Sequence, residues 1–333
     1  MASWLLVSLL MFAAAPAAWA DDLGDLGDSS WDFIETASIQ ELMSLDGIPR
    51  SKDDAPLWDY ADAVLQRRVE RALVELGLDD DARNQRLSVA LIDLSRPGKP
   101  RVAAVNGDEM MYAASLPKIA ILLAAFEKVA QGKMTLDEDT EFRLSRMIKG
   151  SSNRYATEMM NQVGKEYIAR VLLSPRYRLY DPEHNGGLWV GKDYAKAGLW
   201  RRDPLHNLSH GATAMQVARF YYLLVTENLV TPEYSRQMRE ILEDSELDHK
   251  FIRALREIDP NAAVSRKSGS WSTYHCDSAL VHREGYSYIA VALSDSADGS
   301  QWLGRIITEL DSAVVRDDSV ADGRSVGESR LIR

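Results

Sequence analysis

From Leu57 to Leu78 the apolar residues Ala61, Leu65, Val69, Leu73 and Leu76 recur every three or four positions, the repeat of one helix face. A first amphipathic helix is expected there. Leu87 to Leu94 and Arg101 to Val105 are β-compatible runs, and the intervening Ser95-Arg-Pro-Gly-Lys-Pro supplies turn residues, so the two read as a hairpin. Residues 113–131 form an apolar helix, and most of 134–242 is helical in pattern, with breaks at 149–153 and 174–211. Three strand-like runs follow, Ala263 to Thr273, Cys276 to His282 and Tyr286 to Leu293, the last two joined by Glu284-Gly285; residues 300–315 return to helical spacing. This order predicts an α/β (α+β sandwich) fold: an antiparallel five-stranded sheet flanked by terminal helices, with an all-helical lobe over about 107–242 inserted between strands. No internal repeat is visible.

The two ends of the chain depart from this pattern. Residues 2–20 carry no charge, run apolar from Trp4 to Ala15, and end in Ala18-Trp19-Ala20 before Asp21 and Asp22, which reads as a secretory signal peptide cut after Ala20. A periplasmic or secreted location is therefore expected, although the start lacks Lys and Arg and the uncharged stretch is nearly long enough to serve as an anchor. Residues 21–56, rich in Asp, Ser and Gly, read as a loosely ordered leader, and 316–333 as a charged, frayed tail. The domain proper is expected over 57–315.

Composition narrows the partners. Of 333 residues, 46% are hydrophobic and 27% charged, as in a soluble globular protein. The formal charge of -11, with no long Lys/Arg run, argues against nucleic acid and suits solubility. No cofactor is called for, and a monomer is expected. Cys276 is the only cysteine, so no internal disulfide can form, and a buried structural thiol is the simplest reading. His206 and His210 have i,i+4 spacing, but Pro204 disturbs the helix a metal pair would need and no third ligand is evident. His275 and His282 bracket the fourth predicted strand; His275 could line a pocket, though it reads more simply as a surface turn residue.

Ser115-Leu-Pro-Lys118 is the sole S-x-x-K in the chain and opens an apolar helical run. At i,i+3 a lysine can reach the serine hydroxyl, burial favours a proton-accepting amine, and a helix start favours developing negative charge. Alone the motif is weak, since about one is expected by chance in a chain of this length. Two further elements strengthen it. Ser151-Ser152-Asn153 lies in a break between helices and offers a hydroxyl and a carboxamide, and Lys267-Ser268-Gly269 lies on a predicted strand, a cation and a hydroxyl beside a residue with no side chain.

With the three elements in this order, residues 58–315 resemble the class A β-lactamases and penicillin-binding proteins, whose motifs are S-x-x-K, S-D-N and K-T-G. The resemblance implies an exported serine hydrolase in which Ser115 is acylated and Lys118 is its base or proton relay. It implies that Ser151 passes a proton to the leaving nitrogen, that Asn153 holds the substrate's side-chain amide, and that Lys267 and Ser268 bind its carboxylate. The N–H groups of Ser115 and Ser270, beside Gly269, would form the oxyanion hole. The substrate would be a small-molecule β-lactam or a related amide or ester.

The second half of the reaction is less clearly written. β-Lactamases of this class deacylate with a glutamate in a pattern like E-P-E-L-N, and this chain reads Asp181-Pro-Glu-His-Asn185. Asp181 would stand where the glutamate does, one methylene shorter, with Glu183 as fallback. Asp181-Pro182 is also a common turn start. A D-Ala-D-Ala carboxypeptidase or endopeptidase acting on peptidoglycan thus remains open, as does a non-catalytic binding module. The stretch between Lys118 and Ser151 is short, which predicts a more open cleft, and 186–210 is long, without a role from the resemblance.

Overall fold

The computed structural model describes residues 56–196 and 198–315; the signal peptide, leader and tail expected from the sequence lie outside them. The first predicted helix is split. Leu57–Tyr60 forms a single 3-10 turn, and helix α1 spans Ala63–Glu75, started by Asp62, whose carboxylate accepts from the N–H groups of Val64 and Leu65 at 2.9 and 2.8 Å. Gly77, at φ +69°, closes it in the left-handed conformation that favours glycine, with Leu78 N donating to Leu73 O. A short helix α2 (Asp79–Arg83) leads into β1 (Leu87–Asp93) and β2 (Arg101–Val105), the predicted hairpin.

After β3 (Met111–Tyr112) comes helix α3, which begins at Lys118 and ends at Ala130. The sequence pattern extends it back to 113, but Ala114 has φ +48°, and the chain enters through i→i+3 bonds such as Ala120 N to Pro117 O. Ser115 therefore sits in the turn ahead of the helix. Ten consecutive residues of α3, Lys118 to Glu127, are buried, which makes it the centre of the helical lobe. Helices α4 (Glu138–Ile148), α5 (Asn153–Val163) and α6 (Lys165–Leu173) pack around it.

The break predicted over 174–211 contains small strands that the sequence pattern does not reveal: β4 (Tyr180–Asp181), β5 (Gly186–Gly187), β6 (Trp189–Val190) and β7 (His210–Ala212). β7 lies between β3 and β6, tying this segment to the chain just before Ser115. Helices α7 (Ala214–Val225) and α8 (Pro232–Leu242) complete the lobe, and α9 (Phe251–Ile258) lies on the other face of the sheet, where Phe251, Ile252 and Leu255 join the core of the terminal helices. The last strands are β8 (Ala263–Trp271), β9 (Tyr274–Arg283) and β10 (Tyr286–Asp295), followed by α10 (Gly299–Val315).

The sheet is antiparallel and five-stranded, as expected, and its order is β2-β1-β10-β9-β8. Its two faces are both covered, and the alternation along β1 shows how. Val89 and Leu91 join the cluster under α1 and α10, whereas Ala90 and Ile92 join the cluster of the helical lobe. Each fully buried Leu, Ile or Phe contributes roughly 1.5–3 kcal/mol. Two cores thus clamp the sheet and leave its β8 edge beside the start of α3.

Candidate active site

The predicted nucleophile is half-buried, and the strand carrying Gly269 presses against its turn. A Cβ on Gly269 would stand 2.4 Å from Ala113 O and 2.8 Å from Ser115 N, so only glycine allows this approach. Cys276, opposite Gly269 in the β8–β9 register, donates from Sγ to Ala113 O at 3.1 Å. Burial pushes its thiol up to about 11. The thiol acts as a packing donor that fastens β9 to the Ser115 turn.

Lys118 is fully buried. Its Nζ donates to Ser151 O at 2.6 Å and to Asn153 Oδ1 at 2.8 Å, with Ser151 Oγ at 3.4 Å. Ser151 turns toward it from the break between α4 and α5 with φ +53°, a conformation disfavoured for a residue with a side chain. From the sheet side Lys267 Nζ donates to the same Ser151 Oγ at 2.8 Å and to Ser268 O at 2.7 Å. The three motifs therefore meet in one row, Lys118–Ser151–Lys267, with one hydroxyl between two amines. Lys267 is 2% exposed. Burial and then the charge of Arg266 bring its ammonium down to about 7. Ser268 is buried beside it.

Two groups around this row went unnoticed in the sequence. Lys250, just ahead of α9 and buried, donates from Nζ to Gly269 O at 2.6 Å, Ser270 Oγ at 2.7 Å and Cys276 O at 3.1 Å. It supports the strand segment that faces Ser115, and burial lowers its pKa. Beneath it, Arg266 and Asp277 form an ion pair with both side chains out of solvent and a 2.7 Å contact. The second group is aromatic. The ring of Tyr194 lies under Lys118 Nζ, 4.5 Å from ring centre to nitrogen, and its hydroxyl reaches Ala114 O at 3.4 Å. His210 stacks on Tyr194 at 4.3 Å with the planes 4° apart, and its carbonyl accepts from Ala113 N at 2.9 Å. Burial, then the charges of Lys118 and Lys192, lower the imidazole to about 3. Only the unusual length of 186–210 hinted at such a contribution.

Asp181 is engaged by its own neighbours in sequence. Its Oδ2 accepts from Arg178 Nη2 at 2.6 Å and Nε at 3.0 Å, and its Oδ1 caps the turn Pro182–His184 by accepting from Glu183 N at 3.1 Å. Glu183 is exposed and also meets Arg178, at 3.1 Å. Among the described residues neither carboxylate touches Ser115, Lys118, Ser151 or Lys267. His206 and His210 are also separated in function: Nε2 of His206 faces Asn185 Oδ1 at 3.0 Å, while His210 packs on Tyr194. His275 lies on β9 opposite Ser270, with Nδ1 3.3 Å from Ser270 Oγ, at the rim of the site. His282 Nδ1 meets Ser287 Oγ at 2.6 Å, far along the same strand.

The sequence pattern of the Beta-lactamase enzyme family (Beta-lactamase2) matches residues 67–174 and 193–316, leaving out 175–192, the stretch that contains Asp181. No curated protein sequence matches the chain. Among solved structures, the β-lactamase of Sphaerobacter thermophilus is similar at TM-score 0.59 and 17% identity, covering 76% of this chain and 97% of that one. PBP-A is similar at TM-score 0.57 and 15% identity, covering 80% of this chain and 98% of its own. A class A β-lactamase representative from Bacteroides cellulosilyticus aligns at TM-score 0.57 and 15% identity, over 77% of this chain and all of its own. These three likenesses are likenesses of fold. The family match extends over most of the described residues and includes Ser115, Lys118, Ser151 and Lys267, and the chain belongs to the β-lactamase enzyme family.

Proposed function

We propose that the protein is an exported serine hydrolase whose Ser115 opens a strained or activated amide, a β-lactam above all, and becomes an ester in the process. The observation that carries this reading is the hydrogen-bonded row Lys118–Ser151–Lys267 beside Ser115. Two amines around one hydroxyl form a path along which a proton can move. Ser115 Oγ attacks the carbonyl carbon, its proton leaves by way of Lys118, and Ser151 delivers a proton to the nitrogen as the C–N bond breaks. The oxyanion is held by the N–H groups of Ser115 and Ser270; a lost donor of this kind typically costs about 3 kcal/mol. Gly269 leaves room for the carbonyl, and Lys267 with Ser268 receives the substrate's carboxylate.

A second reading, a D-Ala-D-Ala carboxypeptidase or endopeptidase of peptidoglycan, shares every one of these steps. It is favoured by one observation, the engagement of Asp181 by Arg178. A structurally similar PBP-A variant is known as an acyl-enzyme complex with penicillin G. A binding module without chemistry would have little reason to keep two buried lysines on one serine hydroxyl. Nitrocefin opening by the purified chain, lost in Ser115→Ala, is expected, whether it stops at one equivalent or turns over. Release of D-alanine from muropeptides with little drug turnover selects the second reading, and neither activity in the presence of folded protein refutes both.

A further inference from the structure

The segment that carries Tyr194 is built to deliver it. Gly191 lies so near Arg201 that a Cβ would stand 1.9 Å from its carbonyl oxygen, and Gly198, at φ +97°, would drive a Cβ to 2.1 Å from the Asp193 carboxylate. Asp193 N donates to Gly198 O at 3.0 Å, and Lys192 bridges Leu199, so the chain doubles back on itself around Tyr194. The Asp193 carboxylate then pairs with Lys165 at the start of α6 at 2.6 Å, both side chains largely out of solvent. His210, stacked on Tyr194, is fastened through its carbonyl to Ala113, two residues from the nucleophile. The His210 stack and the hydroxyl contact with Ala114 O hold the ring beside Lys118.

Hydrolysis of a Ser115 ester has a fixed atom balance. A water oxygen bonds to the acyl carbon while a base takes one of its protons, the carbon–Oγ bond breaks, and a proton is returned to Ser115 Oγ. The base must stand within one water of the acyl carbon. The carboxylates the sequence offers, Asp181 and Glu183, are drawn to Arg178 instead. Over Lys118 and the Ser115 turn lies the Tyr194 phenol, kept protonated well above its usual range, with an imidazole lowered to about 3 stacked on it. A neutral phenol is no base for the water's proton, and its half-buried ring lies over the Lys118 amine, 4.5 Å from it.

We propose that Tyr194 is a positioning residue that covers Lys118 and closes that side of the site to hydrolytic water, so that penicillins accumulate as a long-lived Ser115 ester. This rests on the reading that Ser115 is acylated. Aromatic stacking and the cation over the ring hold the cover in place. A substrate turned over at speed would have to bring its own acceptor, as a peptide amine does in a transfer reaction.

The test follows the decay of the benzylpenicilloyl adduct on the full chain by intact mass, after excess drug is removed, with thermal melts to check folding. In Tyr194→Phe, which keeps the ring, the adduct should persist within about twofold of the wild type. In Tyr194→Glu, which sets a carboxylate against Lys118, it should decay about 10²-fold faster, the lower end of what a positioned general base contributes. Asp181→Asn should leave the decay unchanged. The inference is overturned if the wild-type adduct is already short-lived, if Tyr194→Phe speeds decay as much as Tyr194→Glu, or if a folded Tyr194→Glu decays no faster. Should Tyr194→Glu fail to fold, Tyr194→Ala takes its place, with at least tenfold faster decay expected and unchanged decay overturning the inference. Acylation with unchanged decay overturns only this inference, whereas no adduct in folded wild type removes the Ser115 reading and this with it.

Discussion

Lys267→Met should remove activity and raise stability, and the size of the gain can be worked from the burial of this lysine. Its ammonium falls from an ordinary 10.5 to about 7 in the folded chain. At about 1.36 kcal/mol per pH unit, keeping this group in the folded state at pH 6.5 costs about 5 kcal/mol relative to an unperturbed lysine. The sign follows from proton binding. Between 7 and 10.5 the unfolded chain holds a proton that the folded chain has lost, so the penalty is fully present below 7 and fades as pH rises to 10.5. Methionine has similar length and no charge. It forfeits the hydrogen bonds to Ser151 Oγ and Ser268 O, each worth about 1 kcal/mol net. A net gain of about 2–3 kcal/mol at pH 6.5 should remain, shrinking to nothing or a small loss near pH 10. Urea denaturation of wild type and variant at pH 6.5 and 9.5 measures this directly. A variant destabilised at pH 6.5, or a gain identical at both pH values, would refute the reasoning.

Other consequences are as concrete. Gly269→Ala forces a Cβ to 2.4 Å from Ala113 O, so the strand must move from Ser115; acylation should fall by at least about tenfold with a stability loss of roughly 1–3 kcal/mol, measured by adduct formation and by denaturation. Asp277→Ala leaves the Arg266 guanidinium buried without its anion and should cost about 3–5 kcal/mol, enough to be read from the urea midpoint, while a loss under 1 kcal/mol would mean that the ion pair is dispensable. Because Lys267 is charged only below about 7 in the free enzyme, kcat/KM for a carboxylate-bearing substrate should fall as pH rises through that value. A matched substrate with its carboxylate esterified should not show the fall; if it does, Lys267 is acting on something other than that carboxylate.

The sheet was legible because each strand carries its own signal. Val89, Leu91, Val281, Ile289 and Val291 fall in short apolar runs bounded by turn residues, and Glu284-Gly285 supplies the two-residue turn that sets Arg283 opposite Tyr286. The S-x-x-K, S-x-N and K-S-G elements were legible as spaced residue types, and their convergence on one hydroxyl is a matter of packing that pattern alone cannot give. What stayed hidden follows from contacts distant in sequence. Tyr194 meets a lysine 76 positions earlier, as the numbering shows, and its direction is set by two glycines and an ion pair with α6. Lys250 looks like any surface charge between helices until β8 and β9 close over it. The beginning of α3 was misjudged for a local reason, the left-handed Ala114, which no residue propensity favours and which the Gly269 contact accompanies. Asp181 had the right neighbours in sequence, but Arg178 is three residues away and claims its carboxylate.

If Ser115 is the nucleophile, penicillin must leave a covalent mark on it. The measurement that tests it most directly is peptide mapping of the full chain after exposure to penicillin. One added drug mass is expected, confined to the peptide that contains Ser115, absent from Ser115→Ala and greatly slowed in Lys118→Ala. A folded protein that takes up no drug, or whose adduct maps to another residue and survives Ser115→Ala, would contradict it.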